Sequence, residues 1–385
     1  MRIKSFLALT GLAAIAATSL LSCKPQGPSA SHPIHVGVVL PLTGDAAQYG
    51  KALQAGADLA IEQINAAGDT NAQKLVLTYE DSKAEPTAAV SAVNKLIGAD
   101  HVQLVIGDMF SSTTLAIAPI AQRNRVVLVS PTASAEAVPR VGDYIFSIYP
   151  SDAYDGQFLA EAIQTLWPDS TRVAIIYAQA EAMITAKDAF KKKLQGSRFQ
   201  VVSEQAVPPG TKDLSSAVTT IQPADPQIVF IAAYLPETAT FLRQAAQQGL
   251  KGKFVGISTC YDPKLFELAG AAANELIFSA PFFEADSTSP QVAPFVAAFK
   301  QSYGKAPDVW AAYGYDVVKI VAHALEKSGG DSEQLRRAIA STSNYQGATG
   351  TTSFTPDRGV NKELRLLKAD ASSRAFVPQE LHKEN

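Results

Sequence analysis

The sequence predicts an α/β protein: two doubly wound parallel-sheet lobes joined by a multi-strand hinge. Three observations predict it. Short apolar runs alternate with amphipathic helical stretches from Ile34 onward, as a parallel sheet with right-handed crossovers requires. The alternation restarts around Tyr149-Pro150-Ser151-Asp152 and yields a second array of similar size. The last hundred residues do not form a third unit and must be shared between the two arrays.

Ahead of the fold, residues 1–23 read as a lipoprotein signal peptide. Arg2 and Lys4 precede an apolar run from Phe6 to Leu21, which lacks the polar flank of a stop-transfer segment and reads as a secretory core, an ordinary signal peptide cut nearby or an uncleaved anchor being the alternatives. The run ends in Leu20-Leu21-Ser22-Cys23, which resembles a bacterial lipobox. Cys23 is then the lipid-attachment residue, and the lipid holds the protein to a membrane without crossing it. Residues 24–33, rich in Pro, Ser and Gly, read as a flexible tether. An exported protein facing the periplasm or cell exterior is expected.

Each element of the first array has its own signal. Ile34 to Leu40 is a buried strand, and Leu53, Ala57, Ala60, Ile61 and Ile64 keep one face of the helix after it. Gly68 suits that helix's end. Leu75 to Tyr79 is a strand, and Pro86 opens a helix with Val90, Val93 and Ile97 inward. Gln103 to Ile106 is a strand that leads to Gly107 and four consecutive hydroxyl residues, Ser111 to Thr114. Pro119 predicts a kink or early end in the helix they open. The next strand, Val126 to Val129, runs into Ser130-Pro131-Thr132-Ala133-Ser134. In the second array, strands are expected at Arg172 to Tyr177, Phe199 to Glu204, Gln227 to Ala233 and Phe254 to Ile257. In the tail, Leu276 to Ala280, Thr349 to Phe354 and Leu364 to Ala369 read as strands, with helices at Val292 to Tyr303, Trp310 to Lys327 and Glu333 to Ala340. The lobes are expected at 34–151 with 281–349 and at 152–280 with 350–385. Several crossings between two lobes make a hinge with a cleft.

Composition excludes several functions. The formal net charge is −3 and becomes more negative once Arg2 and Lys4 are removed, so no nucleic-acid partner is expected. The run Lys191-Lys192-Lys193 reads as the solvated end of a helix. There are two cysteines, and assigning Cys23 leaves Cys260 alone, either an inert buried thiol or a cleft residue. Five histidines show no metal-ligand spacing. No Gly-x-Ser-x-Gly elbow, phosphate-binding glycine loop or His-Glu-x-x-His is present. No enzyme, metal or cofactor is expected.

The binding residues follow from sheet geometry. Ligands of open parallel sheets sit beyond the carboxyl ends of the strands. Helix starts there offer unpaired N–H groups and a partial positive charge. The turns at Ser111 and at Thr132 to Ser134 thus make a cradle for a small carboxylate, although a serine at a helix start is also a common cap. Tyr49, at the end of the polar loop after the first strand, reads as a cleft residue or a helix-entry aromatic packed on its lobe; Tyr234, directly after a strand, reads as a cleft residue or a core or rim tyrosine; Ser258 opens the turn after Phe254 to Ile257.

Taken together, the motifs resemble the periplasmic solute-binding proteins of the leucine/isoleucine/valine type, receptors of ABC importers with the type I periplasmic-binding fold. The matching stretches are G-V-V-L-P-L-T-G-D-A-A-Q-Y-G, A-D-L-A-I-E-Q-I-N-A-A-G, Y-E-D-S, V-I-G-D-M-F-S-S-T-T, V-S-P-T-A-S-A, Y-L-P-E with R-Q-A-A-Q-Q-G-L, and A-A-Y-G-Y-D-V-V. Each is short, but their order and spacing cover nearly the whole chain from Ile34. The resemblance implies ligand contacts at Tyr49, Ser111, Thr132 and Ser134, with Tyr234 on the other wall. It implies a small-molecule solute and an ABC permease as partners, and a monomer is expected. A sensor lipoprotein of the same fold is the alternative.

Two departures stand out. The amino-acid binders place an acid after the strand at Phe254 to Ile257, where this chain has Ser258-Thr259-Cys260. They also carry Tyr-Gly where this chain has Ala182 and Met183. The carboxylate side is kept and the ammonium side is not. Either Glu181, Glu237 or Asp262 supplies the missing charge, or the solute lacks an α-amine.

Overall fold

The structure, a computed structural model, describes residues 33–68, 73–283, 285, 288–329 and 331–381. The signal peptide, Cys23 and the tether up to residue 32 lie outside the described residues. No helix among the described residues is long and apolar enough to cross a membrane.

The first array runs β1 (Ile34–Leu40), α1 (Ala47–Ala67), β2 (Leu75–Asp81), α2 (Pro86–Gly98), β3 (Leu104–Gly107), α3 (Ser111–Arg123), β4 (Val127–Ser130), a short α4 (Ala137–Arg140) and β5 (Ile145–Ser147). Its five strands are parallel, in the order β2-β1-β3-β4-β5. The central strands are buried throughout because helices cover both faces. Helix α3 runs through Pro119 to Arg123 instead of stopping early. Ile117, Ala118, Ile120 and Ala121, buried on either side of the proline, hold it against the core.

The second array begins where Ser151 caps α5 (Asp152–Leu166), accepting from Tyr154 N–H at 3.2 Å. It continues β6 (Arg172–Ala178), α6 (Glu181–Leu194), β7 (Gln200–Val207), α7 (Ser215–Ile221), β8 (Ile228–Ala232), α8 (Leu235–Gln248), β9 (Lys253–Gly256), α9 (Lys264–Ala269) and β10 (Ile277–Pro281). The three lysines 191–193 form the last turn of α6, as expected, and Lys191 pairs with Glu204 at 2.5 Å.

The tail supplies α10 (Ala293–Tyr303), α11 (Val309–Ser328), α12 (Ser332–Ala340), β11 (Tyr345–Gly347), β12 (Gly350–Phe354), β13 (Val360–Lys362), β14 (Leu364–Asp370) and β15 (Ala375–Pro378). Helix α11 lies on α1, and Val317, Val318, Ile320 and Val321 join the first lobe's core. The second sheet has seven strands, β15-β14-β10-β9-β8-β6-β7, with β14 and β15 antiparallel at its edge. The chain leaves this sheet at Pro281 and re-enters it at Leu364. Between these points β11, β12 and β13 make a separate antiparallel sheet, and Phe354 sets its ring 5.4 Å from Phe146 of the first lobe. Asp316 in Y-G-Y-D braces this sheet at its β11–β12 turn. Its carboxylate accepts from Ala348 N–H (2.8 Å), Thr349 N–H (2.7 Å) and the Thr349 hydroxyl.

Candidate functional site

The carboxyl ends of both sheets open on one cleft of about 1620 Å³. Tyr49, Ser111, Thr132, Ser134, Tyr234 and Ser258 all line it, together with Ala182 and Met183. The six come from five different strand–helix junctions, Thr132 and Ser134 sharing the turn after β4, which is why they are scattered in sequence.

The first loop is fixed by Asp81, which accepts from Leu42 N–H at 2.8 Å and from the Thr43 hydroxyl at 2.5 Å. Tyr49 follows on the first turn of α1 and meets Trp310 edge to face, with ring centroids 5.6 Å apart. Trp310 lines the same cleft; sequence reading placed it only as the start of a helix.

The turns after β3 and β4 are bonded into one block. The Ser130 hydroxyl donates to Asp108 C=O (2.6 Å), and the Thr132 hydroxyl donates to Met109 C=O (2.9 Å). The Thr132 proton is thereby used inside the block. Ser111 differs. The residue capping α3 is Phe110 and no side chain caps the helix, so Ser111 is not a cap. Its Oγ accepts from Ala135 N–H at 3.1 Å, which orients the hydroxyl and leaves its own proton to donate. Ser111 and Ser112, the first two residues of α3, both line the cleft, so the start of that helix borders it.

Across the cleft, Tyr234 caps α8 and is 41% exposed, an unusual state for an aromatic ring in a closed interior. Met183 is 2% exposed and belongs to the second core as well as to the cleft wall. Ser258 is held from beneath. Its N–H donates to Asp155 Oδ2 at 3.0 Å, its side chain bonds Tyr149, and the other Asp155 oxygen accepts from Ser279. Burial pushes the Asp155 carboxyl up. With both oxygens occupied, Asp155 braces the turn.

Cys260 is fully buried, so it is the inert thiol and not a cleft residue. Burial pushes its thiol up to about 12, which removes the thiolate needed for reactivity. Of the three acids considered for the missing charge, Glu237 is buried away from the cleft lining and accepts from Gly210 N–H. Asp262 lines the cleft but accepts from Lys264 N–H at 2.8 Å, and Glu181 lines it as an exposed residue. Asp152, which sequence reading passed over, lines the cleft close to Ser134. Among the described residues no group of His, Cys, Asp and Glu is arranged to hold a metal ion.

Two α/β lobes with a polar-edged cleft at their strand ends define a solute-binding protein. The family profile described as periplasmic binding protein matches residues 33–374, and the chain belongs to that family. It is similar to the leucine-, isoleucine-, valine-, threonine- and alanine-binding protein of Pseudomonas aeruginosa, 28% identical over 92% of this chain and 91% of that one. Its fold resembles the leucine-binding protein LivK of Thermotoga maritima, with TM-score 0.78, 25% identity, and 90% and 98% of the two chains covered. It also resembles the branched-chain amino acid transporter substrate-binding protein LivJ of Streptococcus pneumoniae, solved with isoleucine, with TM-score 0.75, 25% identity, and 89% and 97% covered. Family membership makes this a solute-binding protein rather than an enzyme and implies export to the periplasm.

Proposed function

We propose that this protein is the lipid-anchored receptor of an ABC importer, and that it closes on a small carboxylate-bearing solute, an amino acid or a related organic acid. The observation that carries the ligand class is the α3 entrance. An uncapped helix start and the Ser111 hydroxyl, held by Ala135 N–H, offer neutral donors to an anion. Tyr49, Thr132, Ser134, Tyr234 and Ser258 complete the binding surface, with Tyr49 and Tyr234 against the solute's apolar part. The named relatives support the amino-acid branch. They also favour transport over a sensor role, since such receptors present a closed form to a permease. Calorimetry of the mature protein against amino acids and their oxo acids tests the ligand class; titrations flat for every carboxylate would refute it.

Closure is a rotation of the lobes built on 34–151 with 281–349 and on 152–280 with the end of the chain, as a monomer. The volume of the cleft supports this, because small ligands are enclosed in sites of roughly 300–1,000 Å³.

Anchoring rests on Cys23. Cys23→Ala is expected to yield a precursor that takes up no labelled fatty acid, because the thiol is the attachment atom. A mutant that still incorporates label refutes the lipobox reading.

A further inference from the structure

Asp108 is fully buried behind the α3 entrance. It follows β3, and the next three residues, Met109, Phe110 and Ser111, line the cleft. The hydroxyls around it are spent on the backbone. Ser130 and Thr114 both donate to Asp108 C=O, at 2.6 and 3.0 Å, while Thr132 donates to Met109 C=O and Thr113 to Phe110 C=O. The carboxyl itself is left with little. Its Oδ1 accepts from Met109 N–H, but Oδ2 is buried and makes no hydrogen bond.

The groups that face Asp108 bring it no positive charge. Ser82 at the end of β2 and Thr113 on α3 lie beside the carboxyl, and Ser130 and Thr132 reach it from the turn after β4. On β1 the residues paired with the end of β3 are Val38 and Val39. Asp81, next to Ser82, is engaged by the N–H groups of Leu42, Thr43 and Lys83. Burial pushes the Asp108 carboxyl up from the usual carboxylate range.

An ionised carboxylate in this position competes with the solute. Both draw on the partial positive charge and the free N–H groups at the start of α3. Asp108 is three residues from Ser111, so their Cα atoms are at most about 11 Å apart. Like charges at that separation in a protein oppose each other enough to change an equilibrium about tenfold. A proton on Oδ2 removes the opposition, and Ser82 Oγ beside it can accept the new hydrogen bond.

We propose that Asp108 is a positioning residue that links solute binding to a proton: the α3 entrance holds the solute carboxylate tightly when Asp108 is neutral and weakly when it is ionised. Where Asp108 is ionised in the empty receptor, binding draws one proton from solvent onto its carboxylate. This rests on the reading that the solute carboxylate sits at Ser111.

The test is calorimetry on the mature wild-type chain, Asp108→Asn and Ser111→Ala, in two buffers of different ionisation enthalpy at each pH from about 5 to 9. The ligands are leucine, isoleucine, valine, threonine and alanine, and the oxo acids of leucine and valine. Asp152 lines the same cleft and burial pushes its carboxyl up to about 6, so the quantity read is the difference between wild type and Asp108→Asn. Relative to the variant, wild type should take up a proton on binding and lose about tenfold in affinity as pH rises through the ionisation of Asp108. A merely structural aspartate would show neither. Stability gives a readout that needs no ligand. The Asp108 pKa is raised on folding, so its contribution to stability falls as pH rises from the unfolded value of about 3.9 through the folded one. Asp108→Asn should therefore have a higher urea midpoint than wild type at pH 7.5, with the gap narrowing toward pH 4. Equal proton uptake in the two proteins at every pH overturns the proposal, as does an Asn variant that binds less tightly or is no more stable at pH 7.5. If Ser111→Ala still weakens an amino acid and its oxo acid alike, the carboxylate reading survives that failure. Titrations flat for every ligand overturn both.

Discussion

Gly314→Ala is expected to lower stability by about 2–3 kcal/mol, read as a drop in urea midpoint at unchanged slope. A Cβ at residue 314 would stand 2.0 Å from Leu53 C=O on α1, and one at Gly56 would stand 1.8 Å from Ala311 C=O on α11. The two helices touch backbone to backbone at both points. Even a methyl group must drive them apart, and the first lobe's core runs through the contact. The second lobe repeats the device, with Gly156 of α5 facing Ala186 C=O of α6 at 2.1 Å. Gly98→Ala is the control, since a Cβ at the end of α2 meets nothing within 4 Å. That change should be neutral or stabilise slightly. Equal stabilities for the two variants would mean that α1 and α11 can separate freely.

Ser111→Ala should weaken solute binding by about 1–3 kcal/mol, the range for a hydrogen bond to a charged group. Alanine keeps α3 intact, because Phe110 and not Ser111 holds the cap position. The loss should be similar for an amino acid and its oxo acid, since both present the same carboxylate. Calorimetry on the two ligands reads this directly. Unchanged affinity would move the carboxylate away from the α3 entrance, and a loss confined to the amino acid would place Ser111 on the ammonium.

The elements legible in the sequence are those buried on both faces. Unbroken apolar runs such as Ile34 to Leu40 or Ile228 to Ala232 admit few readings, and most boundaries fall within a residue or two. Strands of three residues, such as β5, β11 and β13, carry too little pattern, whereas β12 matches the strand read at Thr349 to Phe354. Pro119 does not end its helix, because the buried residues on either side of it hold α3 against the core. The six cleft residues could be placed because strand ends follow from strand prediction. Asp152 could not be placed this way. Locally it is a helix-opening acid after a capping serine, and only its contact with Ser134 and its lack of a cation distinguish it. The restart motif Y-P-S-D held the signal, without showing which way the side chain faces.

Solution scattering tests the two-lobed receptor most directly. Profiles would be recorded for the mature protein alone and with a ligand that calorimetry shows to be saturating. Closure by lobe rotation predicts a smaller radius of gyration with ligand, and the same shift should be missing in a Ser111→Ala sample at a ligand concentration too low to fill that variant. Identical profiles with and without bound ligand would contradict it.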